Sequence, residues 1–231
     1  MKLLALDCST EACSVALLDT SAGIELVEKT EPAARQHTQR LLPLVDDLLT
    51  ETGVSLAQLD AIAFGRGPGS FTGLRICLGA VQGLAFGADV PVVPVSTLAA
   101  LAQTAVNAGH SSPTILSTLD ARMDEIYWAL YRVQEQGVEL LGQERLSAPE
   151  QLLDRHSADL GATIAVGSGY HYRDRIAVAS QFKLWDGALL PSAAAIAQLA
   201  QRDYLQGKTC QADEALPTYL RDEVAWQKQP L

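Results

Sequence analysis

The sequence predicts an α/β chain folded as two related halves, each a mixed β-sheet with flanking helices, and three observations carry that prediction. An apolar strand that ends on an aspartate and turns into a second strand occurs twice: Leu3-Leu-Ala-Leu-Asp7 leads to Ala12–Leu18, and Thr114-Ile-Leu-Ser-Thr-Leu-Asp120 leads to Ile126–Val133. The turn cluster Asn107-Ala-Gly-His-Ser-Ser-Pro113 falls just before the second copy. The stretch Asp60 to Phe86 reads as a buried strand, a glycine loop and a long apolar helix.

Taken in order, the first half opens as a meander. Lys2–Leu6 and Ala12–Leu18 make a hairpin around Asp7-Cys-Ser-Thr-Glu11, and Gly23–Lys29 supplies a third strand. A helix follows from about Arg40 to Thr52, through Leu44, Val45, Leu48 and Leu49 toward Gly53, and Pro43 is acceptable there only in the first turn, where its missing N–H is not needed. Ser55 caps a short turn into the strand at Ala61. Beyond the long helix Thr72–Phe86, Val90–Val95 forms a short strand, and Ser96 or Thr97 caps an alanine-rich helix to about Val106. The turn cluster then divides an N-terminal lobe, residues 1–107, from a C-terminal lobe, residues 108–231. The second half continues with a strand Val138–Leu146, a helix from about Pro149 to Arg155, a strand Thr163–Val166, the turn Gly167-Ser-Gly169 and a helix Ala193–Gln206 capped by Ser192. Leu216–Arg221 is extended, the tail from about residue 212 is expected to pack back on the first lobe, and residues 222–231 are expected to be loosely held.

The glycine loop has the least freedom to be anything else. Ala61–Phe64 suits a strand covered on both faces. Gly65, Gly67 and Gly69 supply backbone freedom, Pro68 stiffens the turn, and Ser70 is placed to cap the helix. In that helix Leu74, Ile76, Leu78, Val81, Leu84 and Phe86 point several ways around the axis, so more than one side must be covered. Gly79, Gly83 and Gly87 recur at intervals of four on one face. Each costs ~1 kcal/mol relative to alanine, so the stripe implies close approach of another backbone, either within the monomer or from another subunit. The loop is a structural turn rather than a phosphate cradle: it lacks the lysine of a P-loop and the third glycine of a dinucleotide fingerprint.

Composition narrows the function classes. At 231 residues and 48% hydrophobic, the chain buries one large core or two smaller ones. A net charge of −10 argues against direct nucleic-acid binding, which needs clustered Lys and Arg. Cys8, Cys13, Cys77 and Cys210 form no C-x-x-C pair and read as reduced residues of a cytosolic protein. Asp7 interrupts the first apolar run, which excludes a secretion signal, and no uncharged stretch is long enough to span a bilayer. His37, His110, His156 and His171 contain no pair at three or four residues' spacing, and there is no G-x-S-x-G elbow. His37 is expected to cap or pack, and Asp7 and Asp120 to accept backbone N–H bonds in their turns.

A strand-aspartate-turn-strand unit at the head of each half is the pattern of a duplicated ribonuclease-H-like domain, the architecture of actin-like (ASKHA) ATPases and sugar kinases. In that fold the two turn aspartates face each other across a cleft and handle phosphate and its metal. Five ordered blocks go further: Asp7-Cys-Ser-Thr10, His37-x-x-Arg-Leu-Leu-Pro43, Gly65-Arg-Gly-Pro-Gly-Ser-Phe-Thr-Gly-Leu-Arg75, Asp120-Ala-Arg-Met-Asp-Glu125 and Pro217-Thr-Tyr-Leu-Arg221 together resemble the bacterial TsaB (YeaZ) family across the whole chain. The resemblance implies a non-catalytic cytoplasmic partner of a related TsaD-like ATPase subunit. With a TsaE-like ATPase, that pair adds threonylcarbamoyl to an adenosine beside the tRNA anticodon. It also implies self-pairing of the isolated chain, contact with tRNA only through the complex, and no cofactor of its own, with a nucleotide at the subunit interface left open. TsaD relatives carry two metal-binding histidines where this chain has Thr97 and Leu101, neither of which replaces an imidazole on a transition metal.

No catalytic, cofactor or metal residue is therefore expected. Candidates for a partner interface are Leu41, Leu44 and Leu48 on the first helix and Phe71, Leu74, Leu78, Gly79 and Gly83 on the second. The alternatives are a small-molecule kinase or ATPase, suggested by Asp7 and Asp120 but lacking a phosphate fingerprint, and a metallopeptidase, which lacks a ligand pair.

Overall fold

The computed structural model describes residues 1–21, 23, 25–152 and 160–221. Hydrophobic alternation and short turns first pair strands adjacent in sequence. β1 (Lys2–Asp7) runs antiparallel to β2 (Ala12–Asp19), with Leu4 opposite Leu17 and Asp7 opposite Ser14, and β2 pairs antiparallel with β3 (Glu25–Pro32). α1 (His37–Thr52) then crosses over to β4 (Ala61–Gly67), which lies parallel to β1, and α2 (Phe71–Ala88) leads to β5 (Val92–Ser96), parallel to β4. The first sheet has the order β3-β2-β1-β4-β5.

After α3 (Thr97–Asn107) the same plan returns. β6 (Thr114–Arg122), β7 (Glu125–Gln134) and β8 (Gly137–Ser147) form an antiparallel meander, and β9 (Thr163–Val166) and β10 (Leu184–Asp186) add parallel strands on the other side of β6. The order β10-β9-β6-β7-β8 repeats the first sheet strand for strand. The internal repeat read from the two Asp-ended strands is thus a repeat of whole sheets.

The helices distribute by the breadth of their apolar surface. α1 has one buried stripe, His37, Leu41, Leu44, Val45 and Leu48, and together with α2 it covers the outer face of the first sheet. α3 and α4 (Ala193–Leu205) are alanine-rich and lie between the two sheets, where small side chains let backbones come close. One hydrophobic cluster runs through this middle layer, from Leu3 and Ala63 through Leu98, Leu101 and Ile196 to Ile115 and Val166. Short 3-10 turns and residues such as Leu160, Ile176 and Phe182 cover the far face of the second sheet.

Several expectations are corrected. Pro43 is the seventh residue of α1, not a first-turn residue; the carbonyl of Gln39 loses its helical partner, but both positions are exposed and water can serve it. β4 continues through the glycine loop to Gly67 because Gly65 and Gly67 still pair with Val95 and Ser96. Pro149–Gln151 is a single 3-10 turn, and residues 153–159, like 222–231, lie outside the described residues. β10 and the 3-10 run Ser168–Arg175 carry no periodic sequence signal and were not expected. Besides the tail, α4 packs on β1, β2 and β4, and Cys210 bridges to Val92.

Because the central cluster is shared, removing one of its side chains loosens both sheets at once. Leu101→Ala should destabilise the chain by ~2–5 kcal/mol while denaturant unfolding, followed by circular dichroism and tryptophan fluorescence, remains a single coincident transition.

Candidate functional site

Each half places its strand-ending aspartate in a turn, but the two turns differ. Asp7 is fully buried; its Oδ2 accepts bonds from the Ser9 N–H at 3.2 Å and the Ser9 hydroxyl at 2.8 Å, while Oδ1 has no partner among the described residues. Burial pushes its carboxyl up to about 7 against the opposing pull of the Ser9 bonds. Asp120 is more open: Oδ1 accepts the Arg122 N–H at 2.8 Å and the Tyr172 hydroxyl at 3.1 Å, and Arg122 lies 3.2 Å from Oδ2. Both aspartates are backbone acceptors, as their positions in the sequence suggested. Arg122 also reaches to 3.8 Å from Glu11, so the two turns meet across the lobes.

The glycine loop is laid directly against the first turn. A Cβ on Gly65 would overlap Asp7 Oδ1, and one on Gly73 would overlap the Cys8 carbonyl. Ser70 N–H donates to the Ser9 carbonyl at 2.8 Å, and the Ser70 hydroxyl caps α2 by accepting from Gly73 N–H at 3.2 Å. His37, the first residue of α1, packs on the same turn, its Nε2 lying 2.9 Å from the Thr10 carbonyl. Gly65 thus lies against the Asp7 carboxyl, and Gly69 and Gly73 against the backbone of Ser9 and Cys8.

A strap closes the remaining gap between lobes. Gln82 donates to the Ala215 carbonyl at 3.2 Å, Thr218 N–H donates to the Arg66 carbonyl at 2.7 Å, and Arg221 ends the run on the β6–β7 turn, where it pairs with Glu125 and donates to the carbonyls of Ala121 and Arg122. That turn holds Arg122, Met123 and Asp124 in the left-handed region, at φ near 61°, 56° and 60°, a conformation that costs about 1 kcal/mol or more per residue and that Arg221 helps to fix. Tyr219 sits against Phe71, ring centroids 5.4 Å apart, and accepts from Arg75 Nε at 3.1 Å.

The expected interface residues divide cleanly. Leu41, Leu44, Leu48, Leu74 and Leu78 are buried in the first lobe's own core and do not form its surface, which corrects their place among surface candidates. Phe71, Gly79 and Gly83 are exposed. Among the described residues nothing approaches within 4 Å of a Cβ built at Gly79, Gly83 or Gly87, so the glycine stripe does not serve close packing against any of them. The face around it carries Phe86, 85% exposed, with Arg75 near one end and partly exposed Ile76, Ala80 and Leu84 alongside. Sequence reasoning missed Phe86 and the strap's Tyr219 as parts of this surface; their aromatic character beside a glycine stripe was the available signal. α2 is long and apolar enough to cross a membrane by length and composition, yet it includes Arg75 and buries Leu74, Cys77, Val81 and Ala85 under the sheet.

Elsewhere, Thr97 and Leu101 are fully buried between the sheets, and among the described residues no group of three His, Cys, Asp or Glu could hold a metal. Cys8, Cys13 and Cys77 are buried free thiols, Cys8 and Cys13 Sγ lying 3.7 Å apart.

Two sheets of ribonuclease-H-like order, with helices between them and an aspartate turn at the head of each, give the chain the fold of the actin-like class. Residues 29–229 match the family model described as "TsaD: tRNA N6-adenosine threonylcarbamoyltransferase". The chain is 42% identical to the tRNA threonylcarbamoyladenosine biosynthesis protein TsaB of Escherichia coli (strain K12), covering 100% of this chain and 99% of that protein. It is 44% identical to the TsaB of Haemophilus influenzae, covering 100% and 98%. Among solved structures, YeaZ from Pseudomonas aeruginosa superposes with a TM-score of 0.87 at 44% identity over 95% of this chain and 99% of that one. A second Pseudomonas aeruginosa structure, described as having similarity to the peptidase YEAZ, matches with a TM-score of 0.87 at 45% identity over the same shares. The chain belongs to the TsaB family.

The glycines separate into two groups with opposite expected behaviour. Gly73→Ala should severely destabilise the chain, whereas Gly79→Ala, in open space on a helix, should stabilise it by ~0.5–1 kcal/mol in thermal unfolding. Asp7 supplies a pH test. Folded, it keeps its proton up to about pH 7; unfolded, it loses it near its ordinary 3.8, so the fold loses stability as pH rises between those values and is level above. Asp7→Asn lacks that loss, so its Tm relative to the parent chain should climb between those two pH values, by the equivalent of at most ~4 kcal/mol.

Proposed function

We propose that this chain is a non-catalytic subunit of the machinery that makes threonylcarbamoyladenosine in tRNA, and that it acts in the cytoplasm by docking to a TsaD-like catalytic subunit. The role in tRNA modification rests on the full-length likeness to TsaB proteins of two bacteria. The single observation that carries the docking mechanism is the exposed face of α2, where three glycines stand in open space beside Phe86 and Phe71. Glycine on a solvent-facing helix stripe costs stability in the isolated chain. That cost is offset if a second helix packs there, because the missing Cβ atoms allow close backbone approach and the flanking apolar surface leaves water at ~25 cal/mol per Å².

The same reading supports a TsaE-like ATPase joining the pair, and homodimers through the α2 face when the catalytic subunit is absent. A net charge of −10 favours contact with tRNA through the assembly rather than by this chain alone. Non-catalytic action is supported by the first aspartate turn, where Gly65 lies against the buried Asp7, Gly73 lies against the Cys8 carbonyl and the strap crosses Gly67. The kinase or ATPase alternative needs an accessible carboxylate pair there, and Asp7 is 1% exposed.

Gly83→Leu places a large side chain on the open stripe without touching the core. It should leave the Tm of the isolated chain unchanged or slightly raised and abolish co-purification with the TsaD-like subunit. A complex that forms equally well with Gly83→Leu places the interface elsewhere.

A further inference from the structure

A cavity of about 490 Å³ lined by residues of both sheets includes no residue of the two aspartate turns in its walls, and those walls carry charge that the described residues leave unmatched. It is lined by the ends of β4 and β5, by β7 and β8, by the last turns of α4 and by residues 208–210. Its size lies within the ~300–1,000 Å³ typical of small-molecule sites.

Three cations border it. Arg202 Nε and Lys208 Nζ both lie 3.4 Å from Asp203 Oδ1, and Arg202 also donates to the Val138 carbonyl, so these two are matched within the chain. Arg66 is not. Its Nε is shut off from solvent without a partner, and its side chain makes no hydrogen bond or ion pair among the described residues. An arginine cannot shed its proton, and a partly buried guanidinium without an acceptor is costly. The nearby carboxylate is held elsewhere: Glu144 Oε1 accepts from the Ser96 hydroxyl and from the buried Tyr131 hydroxyl at 3.2 Å. Glu144 lines the same cavity as Arg66, so its carboxylate is the acceptor at that wall.

We infer that this cavity binds a small molecule that carries an oxyanion for the Arg66 fork at one end and an ammonium or hydroxyl donor for Glu144 at the other. A planar guanidinium suits carboxylate and phosphate equally, through paired N–H···O bonds. The site shares no residue with the α2 face, so loss of docking and loss of this site are separable.

Calorimetry on the full chain with three probes tests it. L-Serine offers a carboxylate, phosphoethanolamine offers a phosphate, and ethanolamine offers the donors without an oxyanion. The expected result is that serine or phosphoethanolamine binds and ethanolamine does not, the successful probe identifying the oxyanion. Arg66→Met should weaken that binding by about tenfold or more with the ligand-free Tm unchanged or raised, and Glu144→Gln should weaken it severalfold. The inference is overturned if neither oxyanion probe binds, if ethanolamine binds as well, or if binding survives Arg66→Met. It is also overturned if Arg66→Met fails to fold, since that would give Arg66 a structural role.

Discussion

The contact between the first turn of α2 and the β1–β2 turn sets the rest of the first lobe. Gly65 and Gly73 allow it because any side chain there would strike Asp7 or the Cys8 carbonyl, and the Ser70 N–H seals it on the Ser9 carbonyl. Once that end of α2 is pinned, Leu74, Cys77, Leu78, Val81 and Ala85 must turn onto the sheet. The opposite face, with Gly79, Gly83 and Gly87, is left outward. One close backbone approach therefore fixes which face of α2 is buried and which is left outward.

The second lobe is joined to this arrangement at three levels. α3 and α4 share one apolar cluster between the sheets, which couples the stability of the two halves. Arg122 links the aspartate turns, and the strap from Ala215 to Arg221 ties the glycine loop to the β6–β7 turn. The strap also lays Tyr219 on Phe71, so the lobe junction and the exposed end of α2 are physically continuous.

Much of this was legible in the sequence where local chemistry and global fold agree. The two Asp-ended hairpins, the Ser70 and Ser192 caps, Ser96 as one of the two caps offered for α3, and the end of α1 at Gly53 all follow from short-range rules, and the structure has each of them. Legibility failed where tertiary packing decides. Leu41, Leu44 and Leu48 look identical on a helical wheel whether they face a partner or the chain's own sheet; only the position of β2 beneath α1 makes them core. Pro43 was misplaced for the same reason, since packing of the α1 stripe outweighs one lost hydrogen bond. β10 has three residues and borrows its conformation from β9, leaving no periodicity to detect. The open space over the glycine stripe was legible only as a choice between two kinds of packing, and the distances show no close packing there among the described residues.

The central claim is that the outward face of α2 is the docking surface. Hydrogen–deuterium exchange of the chain, alone and with a purified TsaD-like catalytic subunit, measures this residue by residue. The account predicts that residues 71–88 exchange markedly more slowly in the mixture while β6 to β10 are unchanged. Unaltered exchange across 71–88 in a mixture that forms a complex, with protection confined to the second sheet, would contradict it.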